Sequence, residues 1–241
     1  MTPEIISIPM GFSRVYVIRE KGVIMVDGGP PGKTGVFLRS LQARAVDPRA
    51  VRLMVITHGH WDHIGSAKGI RDFTGARSAL HHKEAEFQKN SRPPDPKYLS
   101  LWGKMLGSTL NLFIRSINIH SVKVDILLGE EEYPLLDFGV SGRIIHTPGH
   151  TPGSVSVLLE NGDAFVGDLV MNGLPLRWGP GPPISGDSVD EIRRSVEMLL
   201  EKGSRWIYPG HGKPFSIERL KKFLLRSPEH IRRRSHEGIP R

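Results

Sequence analysis

The sequence predicts a mixed α/β protein, because short apolar strand segments and amphipathic helices occur in both halves of the chain. In each half a group of predicted strands precedes a predicted helix, which suits two similar layers that face each other. A set of histidines and aspartates also lies in glycine-rich turns directly after predicted strands. Because α/β folds keep their ligands at the carboxyl ends of strands, these turns predict the site.

The first half of the chain contains four predicted strands and one helix. β-Branched residues bounded by glycine, proline or charge predict strands over 5–8, 14–18 and 22–26. Apolar residues then recur at helical spacing over 33–45, and a proline lies just beyond that helix. The run 53–56 is continuously apolar and too short for a helix, which is typical of a strand buried on both faces.

The second half begins with a helical insertion around residues 82–118, in which a proline-rich piece precedes apolar residues at helical spacing. After it, β-branched runs predict further strands, over 124–128, 143–146, 155–159, 164–166 and 206–208. Helices are predicted over 189–200 and 217–225. We expect one domain over 1–241, with the insertion serving as a lid or as a dimer surface.

Composition excludes disulfide frameworks, thiolate nucleophiles and iron–sulfur clusters held by cysteine. The chain of 241 residues has no cysteine, so a metal must be held by His, Asp or Glu. No secretory leader or membrane span is visible, which predicts a cytoplasmic protein without membrane contact. The net charge of +8 is concentrated in residues 219–241, which hold eight basic and two acidic residues. Such a run is usually a solvated face, so nucleic acid is a minor alternative as a partner.

The segment from His58 to His63 places three imidazoles and a carboxylate within six positions, directly after a predicted buried strand. In an extended loop, positions i and i+2 point the same way, so His58 and His60 can bind one metal ion. Asp62 and His63 then face a second position. Three further turns after strands carry His150, Asp168 and His211. The recurrence of this arrangement predicts a metal site built from all four turns.

Taken in order over nearly the whole chain, these residues and Asp27 resemble the metallo-β-lactamase fold superfamily. The resemblance implies a four-layer αββα sandwich of two mixed β-sheets, with the site at one edge. It also implies that three histidines bind the first metal, three residues bind the second, Asp168 bridges the two, and Asp27 supports the site without binding metal. The first group is His58, His60 and His150, and the second is Asp62, His63 and His211.

Within that superfamily the chain is most similar to the glyoxalase II-like branch, through the segment from His146 to Ser154. Asp168 argues against β-lactamase activity, since β-lactamases of the family typically lack it. The stretch 169–179 does not match the Gly-Cys-Gly-Arg pattern of true glyoxalase II, and no separate helical domain follows. Glutathione thioesters are therefore not the favoured substrates.

The ligand set predicts a dinuclear metal-dependent hydrolase in which a metal-bridging hydroxide cleaves a thioester, a lactone or a related ester. Zn²⁺ is the first candidate for the two divalent ions, and iron and manganese stay open. Asp62 is also the candidate catalytic carboxylate. Two alternatives remain, a mononuclear iron persulfide dioxygenase and a metal-dependent RNA or phosphodiester hydrolase. The predicted partner is a small-molecule substrate, in a pocket lined by Arg177, Trp178 and Tyr208. A homodimer stays open.

Overall fold

The computed structural model describes residues 2–89, 97–99, 101, 103–105, 107, 120–173 and 178–224. Its first sheet contains six strands: β1 Glu4–Pro9, β2 Arg14–Arg19, β3 Val23–Val26, β4 Val51–Val55, β5 Arg77–His81 and β6 Ile126–Leu128. They are hydrogen-bonded in the order β1-β2-β3-β4-β5-β6. The pairs among β1, β2 and β3 are antiparallel and those from β3 to β6 are parallel, so the sheet is mixed.

The second six-stranded sheet follows the first in the chain. Its strands are β7 Tyr133–Pro134, β8 Gly142–His146, β9 Val155–Leu159, β10 Asp163–Gly167, β13 Trp206–Pro209 and β14 Phe215–Ser216. The order is β14-β13-β10-β9-β8-β7, and only β10 and β13 pair in parallel. A separate two-stranded hairpin is formed by β11 Met171–Asn172 and β12 Pro180–Gly181.

Six α-helices and three 3₁₀ turns complete the described elements. The helices are α1 Thr34–Gln42, α2 Trp61–Ile64, α3 Ala67–Thr74, α4 His82–Lys89, α5 Val189–Glu201 and α6 Lys221–Leu224, and the 3₁₀ turns are Pro48–Ala50, Leu136–Phe138 and Ile217–Leu220. The start of α5 is set by Ser188, whose side chain accepts a hydrogen bond from the Glu191 amide at 3.2 Å. None of the helices over the described ranges is long and apolar enough to cross a membrane.

Three apolar cores separate four layers. The central core joins the facing sides of the two sheets through residues such as Ile24, Leu53, Val157 and Phe165. An outer core packs α1 and α3 on the first sheet, and another packs α5 and α6 on the second. The predicted αββα sandwich of two mixed sheets is therefore confirmed. Each sheet is covered on both sides, which explains why β4 and β9 are apolar at nearly every position.

The predicted elements differ from the observed ones mainly at their ends. The helix predicted over 217–225 is a 3₁₀ turn followed by α6, and the helix predicted over 33–45 is shorter at both ends. Of the insertion predicted over 82–118, the structure describes α4 and a few residues of 97–107, and the rest lies outside the described residues. The chain from β5 enters α4 directly, and the amide of Leu99 donates to the Ile184 carbonyl at 3.0 Å.

Candidate metal centre

The turns that follow β4, β8, β10 and β13 lie together at one edge of the two sheets. Backbone hydrogen bonds join them: the Val155 amide donates to the Thr57 carbonyl at 2.9 Å, and the Gly210 amide donates to the Gly167 carbonyl at 2.7 Å. Their packing is tight, because a Cβ at Gly210 would lie 2.4 Å from the His63 ring. The geometry brings side chains that are far apart in sequence within hydrogen-bonding distance of one another.

Three histidines form the first cluster. His60 Nδ1 lies 3.1 Å from His58 Nε2 and 2.9 Å from His150 Nε2. The rings of His58 and His150 are nearly perpendicular, with centroids 4.6 Å apart. His58 and His150 are buried, and His60 is half-buried. Together with Asp168 these residues present one ligand atom each within 4.8 Å of the others, so they could hold a metal ion.

The second cluster contains Asp62, His63 and His211, all of them buried. Asp62 Oδ2 lies 3.1 Å from His211 Nε2 and 3.8 Å from His63 Nε2. Asp62 and His63 are both in the short helix α2, which begins after His60. The turn of that helix therefore directs them to a position different from the one that His58 and His60 face.

Asp168 lies between the two clusters. Its Oδ2 is 3.6 Å from His150 Nε2 and 3.3 Å from His211 Nε2, and its Oδ1 is 3.2 Å from His63 Nε2. The residue follows β10, and Gly167 just before it has a φ of 50°. A Cβ at Gly167 would lie 2.3 Å from Thr57 Oγ1, so the close approach of this turn to Thr57 requires glycine.

Hydrogen bonds on the outer side of the rings orient the imidazoles. His150 Nδ1 donates to the Ser185 carbonyl at 2.9 Å, and His211 Nδ1 donates to the Phe12 carbonyl at 2.8 Å. A carbonyl can only accept, so both rings carry a proton on Nδ1, and Nε2 is the nitrogen that faces the centre and is left for a metal. Such outer partners fix the tautomer of a metal-binding histidine.

Asp27 does the same for His63. Its Oδ2 accepts from His63 Nδ1 at 2.8 Å, while its Oδ1 accepts from the Thr57 amide at 2.8 Å. The Thr57 hydroxyl also donates to this carboxylate, so it must accept at 3.1 Å from His58 Nδ1. Asp27 has a φ of 65°, an unusual backbone conformation for a residue other than glycine. Asp27 therefore lies beside the clusters and holds the ring of His63 by a hydrogen bond.

The histidines of the first cluster are neutral at neutral pH. Burial lowers the pKa of His58 well below its ordinary value, and the nearby His63 and His150 lower it further. Burial and the nearby His60 lower the pKa of His150 to about 4. Since only the neutral imidazole binds a metal, this cluster is already in its ligating form.

In the second cluster the pKa values of the histidines are raised instead of lowered. Burial disfavours the imidazolium of His211, but Asp168 and Asp62 outweigh it and raise the pKa of His211 to about 10. Burial opposes the charge of His63 as well, and Asp168, Asp27 and Asp62 still raise its pKa well above the ordinary value. Without a metal, these histidines therefore carry protons that pair with the carboxylates.

The chemistry of the donor set fits divalent metal ions. In the first cluster His58 Nε2 and His150 Nε2 both face His60 Nδ1, which has at most one proton to donate, so a bound cation would satisfy the lone pair that is left. Among the buried polar atoms of the described residues, His63 Nε2 and Asp168 Oδ1 lie 3.2 Å apart without the alignment of a hydrogen bond, and no other group satisfies either atom. A metal ligand is the expected explanation for buried polar atoms that face a cluster of this kind.

Glu84 lies at the site but was not predicted from the sequence. Its carboxylate is buried, and it accepts from the Gly59 amide at 2.8 Å and from the Gly153 amide at 2.9 Å. Gly59 lies between His58 and His60, and Gly153 follows His150. One carboxylate in α4 therefore joins the two loops of the first cluster. No spacing could reveal it, because its partners are 25 and 69 residues away along the chain.

The predicted substrate-binding residues have different positions. Arg177 lies outside the described residues, and Trp178 is 87% exposed in the hairpin of β11 and β12. That hairpin is joined to the centre, since the Asn172 amide donates to the His211 carbonyl at 2.9 Å. The ring of Tyr208 stacks on Phe165 at 4.7 Å, in the core between the sheets, which favours a structural role.

Comparisons with known proteins agree with this architecture. The family model described as the metallo-beta-lactamase superfamily matches residues 8–211. A probable metallo-hydrolase of Methanocaldococcus jannaschii is 28% identical over 204 residues, which are 83% of this chain and 87% of the relative. The hydroxyacylglutathione hydrolase GloC of Haemophilus influenzae is 24% identical over 155 residues, 64% of each chain.

Among solved structures, the BLEG-1 B3 metallo-beta-lactamase has a similar fold, with a TM-score of 0.66 and 24% identity over 92% of this chain and 99% of that one. At this identity the likeness concerns the fold alone. The prediction of a metal-dependent hydrolase is confirmed at the level of the superfamily. The chain belongs to the metallo-beta-lactamase superfamily, whose members are metal-dependent hydrolases.

Proposed function

We propose that the chain is a dinuclear hydrolase that cleaves a thioester, a lactone or a related ester. The observation that carries the proposal is the position of Asp168, whose two oxygens face both clusters. A carboxylate shared by two groups of ligands suits a two-metal site, in which two ions act on one substrate. A mononuclear centre would need only the first cluster and would leave the three ligands of the second without a role.

In this proposal each cluster holds one divalent ion. His58, His60 and His150 hold the first, Asp62, His63 and His211 hold the second, and Asp168 contributes to both. Imidazole nitrogen and carboxylate oxygen suit zinc, and the absence of cysteine keeps iron and manganese open. When bound, such a metal pair lowers the pKa of a shared water toward about 7 and polarises a carbonyl group.

The chain itself orients and shields this chemistry. Asp27 holds the ring of His63, and the Ser185 and Phe12 carbonyls hold those of His150 and His211. Asp62 is the best candidate for the catalytic carboxylate that moves a proton, because its side chain is 11% exposed and that of Asp168 is 5% exposed. The more accessible carboxylate is the one that substrate and water can reach.

Exposed aromatic residues on the turns around His211 are candidates for binding the organic part of the substrate. Phe12, whose carbonyl accepts from His211, is 64% exposed. Trp178 is exposed in the hairpin that contacts the His211 turn. Small-molecule sites are lined predominantly by apolar and aromatic side chains, and these two lie on turns next to the ligands. The similarity to a hydroxyacylglutathione hydrolase supports a thioester as the substrate, while the missing Gly-Cys-Gly-Arg pattern argues against glutathione as its thiol part.

The proposal is tested by metal content and turnover measured together. Purified protein is expected to hold about two zinc ions per chain and to hydrolyse at least one member of a panel of thioesters and lactones. The Asp168→Ala variant should lose about one ion per chain, and its turnover should be at least about 100-fold lower than that of the wild type. Asp72→Ala is the matched control, because Asp72 is an exposed carboxylate paired only with Lys68 on α3.

Three results would contradict the proposal. About one iron per chain, with oxygen consumption on a persulfide and no ester turnover, would indicate a dioxygenase. Turnover of phosphodiesters alone would indicate a nuclease. Unchanged metal content and turnover in Asp168→Ala would show that the two clusters do not share this carboxylate.

A further inference from the structure

A second group of metal-ligating side chains lies apart from Asp168 and its clusters. His81 is the last residue of β5 in the first sheet, and His146 is the last residue of β8 in the second. Glu130 follows β6, the neighbour of β5. Their ligand atoms lie within 4.8 Å of one another, although the three residues come from separate parts of the chain.

The environment of His81 points to a missing partner. Its side chain is fully buried, and in the described part of the chain its Nε2 has no hydrogen-bond partner. Its Nδ1 accepts from the Lys83 amide at 3.2 Å, a long contact. A metal on Nε2 requires the ring proton to move to Nδ1, so that contact is given up. A buried polar atom without a partner is rare in folded proteins, and a ligand would satisfy it.

The orientation of His146 is favourable for the same ion. Its Nε2 donates to the Pro152 carbonyl at 2.8 Å, so its Nδ1 has the free lone pair. This is the arrangement of a metal-binding histidine, in which a carbonyl fixes the tautomer. The rings of His146 and His81 stack, with centroids 4.4 Å apart and an angle of 14° between the planes, so one ring must turn for both lone pairs to reach one ion.

The charges of the group suit a cation as well. Burial and the nearby His146 and His82 lower the pKa of His81 to about 4, so its ring is neutral. The hydrogen bond from Lys83 lowers the pKa of Glu130 to about 2, so its carboxylate is ionised. Neither residue has to lose a proton to bind a metal at neutral pH.

We propose that His81, Glu130 and His146 bind a further divalent transition-metal ion that links the two sheets. Two imidazole nitrogens and one carboxylate oxygen, with a position left open, form a set that zinc accepts. The ion would also stabilise the loop of His150, because Gly153 in that loop packs against His81. A Cβ on Gly153 would lie 3.0 Å from His81 Nδ1. The proposal does not depend on the reaction at the first two clusters.

The test is a zinc titration of the full-length protein after its tightly bound metal has been measured. The wild type is expected to bind one further equivalent and to show a higher melting temperature when it is added. Glu130→Gln should weaken the affinity for this further zinc ion by roughly tenfold or more. Glu130 is exposed, so the substitution does not put the fold at risk. His146→Ala should abolish binding of this ion. Glu131→Gln is the matched control, because Glu131 is an exposed carboxylate next in the chain and lies outside the group.

Asp168→Ala separates this proposal from the function proposed above. That variant should lose about one of the ions held by the first two clusters and should still bind the further equivalent. The proposal is wrong if the wild type binds no further zinc. It is also wrong if the further zinc binds equally well to Glu130→Gln and His146→Ala, since the ion would then occupy another part of the surface.

Discussion

Glu84→Gln is the sharpest test of how the first cluster is held. In the wild type the two carboxylate oxygens accept from the amides of Gly59 and Gly153. Glutamine has almost the same shape but only one acceptor oxygen, so its NH₂ group must face one of these amides. The glutamine side chain has little room to move away, because Gly153 packs against this position. A Cβ on Gly153 would lie 2.7 Å from Glu84 Oε1.

The magnitude follows from the number of bonds that change. A hydrogen bond to a charged group contributes about 1.5–3 kcal/mol, and a buried donor left without a partner costs about 1–3 kcal/mol. One bond is lost and the other becomes a neutral bond, so we expect the free energy of unfolding to fall by about 3 kcal/mol. For a chain of this size the melting temperature then falls by roughly 6–12 °C.

Two assays measure the effect. Thermal unfolding of the metal-free protein reports stability, and competition with a chromogenic chelator reports zinc affinity. We expect zinc at the first cluster to bind roughly 10- to 100-fold more weakly, because both affected loops carry its ligands. The affinity for zinc at the second cluster should change less, since Asp62, His63 and His211 are not in those loops.

Glu160→Gln is the control for removing a carboxylate. Glu160 is exposed and pairs with Arg143, so its loss should change stability by less than about 0.5 kcal/mol. Glu84 does not hold the two loops if Glu84→Gln has a free energy of unfolding within about 0.5 kcal/mol of the wild type and binds zinc as tightly as the wild type at both clusters.

Three further predictions follow from the same contacts. Asp27→Asn should weaken metal binding roughly 10- to 100-fold, because the amide no longer holds the His63 ring as a carboxylate does, and a chelator titration measures this; unchanged affinity would contradict the supporting role. The pKa of Asp125 is about 2 in the folded protein, where the Ser78 amide, Arg71 and Lys123 outweigh the effect of burial. Its contribution to stability, about 1 kcal/mol after solvent screening, should be present above pH 4 and lost as the pH falls through about 2. Asp125→Asn should flatten that part of a pH series of urea unfolding curves, and a series identical to the wild type would exclude the contribution. Metal entering the second cluster should release protons, since the pKa of His211 is about 10 in the metal-free protein. Affinity should therefore rise with pH up to about 10, and calorimetry at pH 8 in two buffers of different ionisation enthalpy should differ; equal heats would mean that no proton leaves.

The strands were predictable where local pattern and burial agree. The run around β4 is apolar because both faces of that strand are covered, and the observed strand over Val51–Val55 overlaps the prediction. The pattern of β5 is weaker, because Arg77 is exposed and Ser78 is polar. Residues 77–81 form a strand because β4 and β6 pair with them on both sides. No local signal contains that information.

The candidate ligands were predictable because their chemistry lies in the side chains and their spacing follows the strands. His58, His60, Asp62 and His63 are close in sequence, so local geometry already limits where they can point. Their supporting partners are different. The Ser185 and Phe12 carbonyls have no residue type to recognise, and Glu84 lies on a helix far along the chain from either loop that it joins.

Apolar periodicity was thus sufficient for the mixed α/β class, and the spacing of the histidines and aspartates was sufficient for a metal site and for a resemblance to the superfamily, because both are local properties of the chain. The distances among the ligands around Asp168, the tautomers of the histidines and the link through Glu84 are distances and contacts between residues remote in sequence. The packing of the two sheets determines those distances. The group of His81, Glu130 and His146 has the same origin, since it exists only where the ends of β5 and β8 meet.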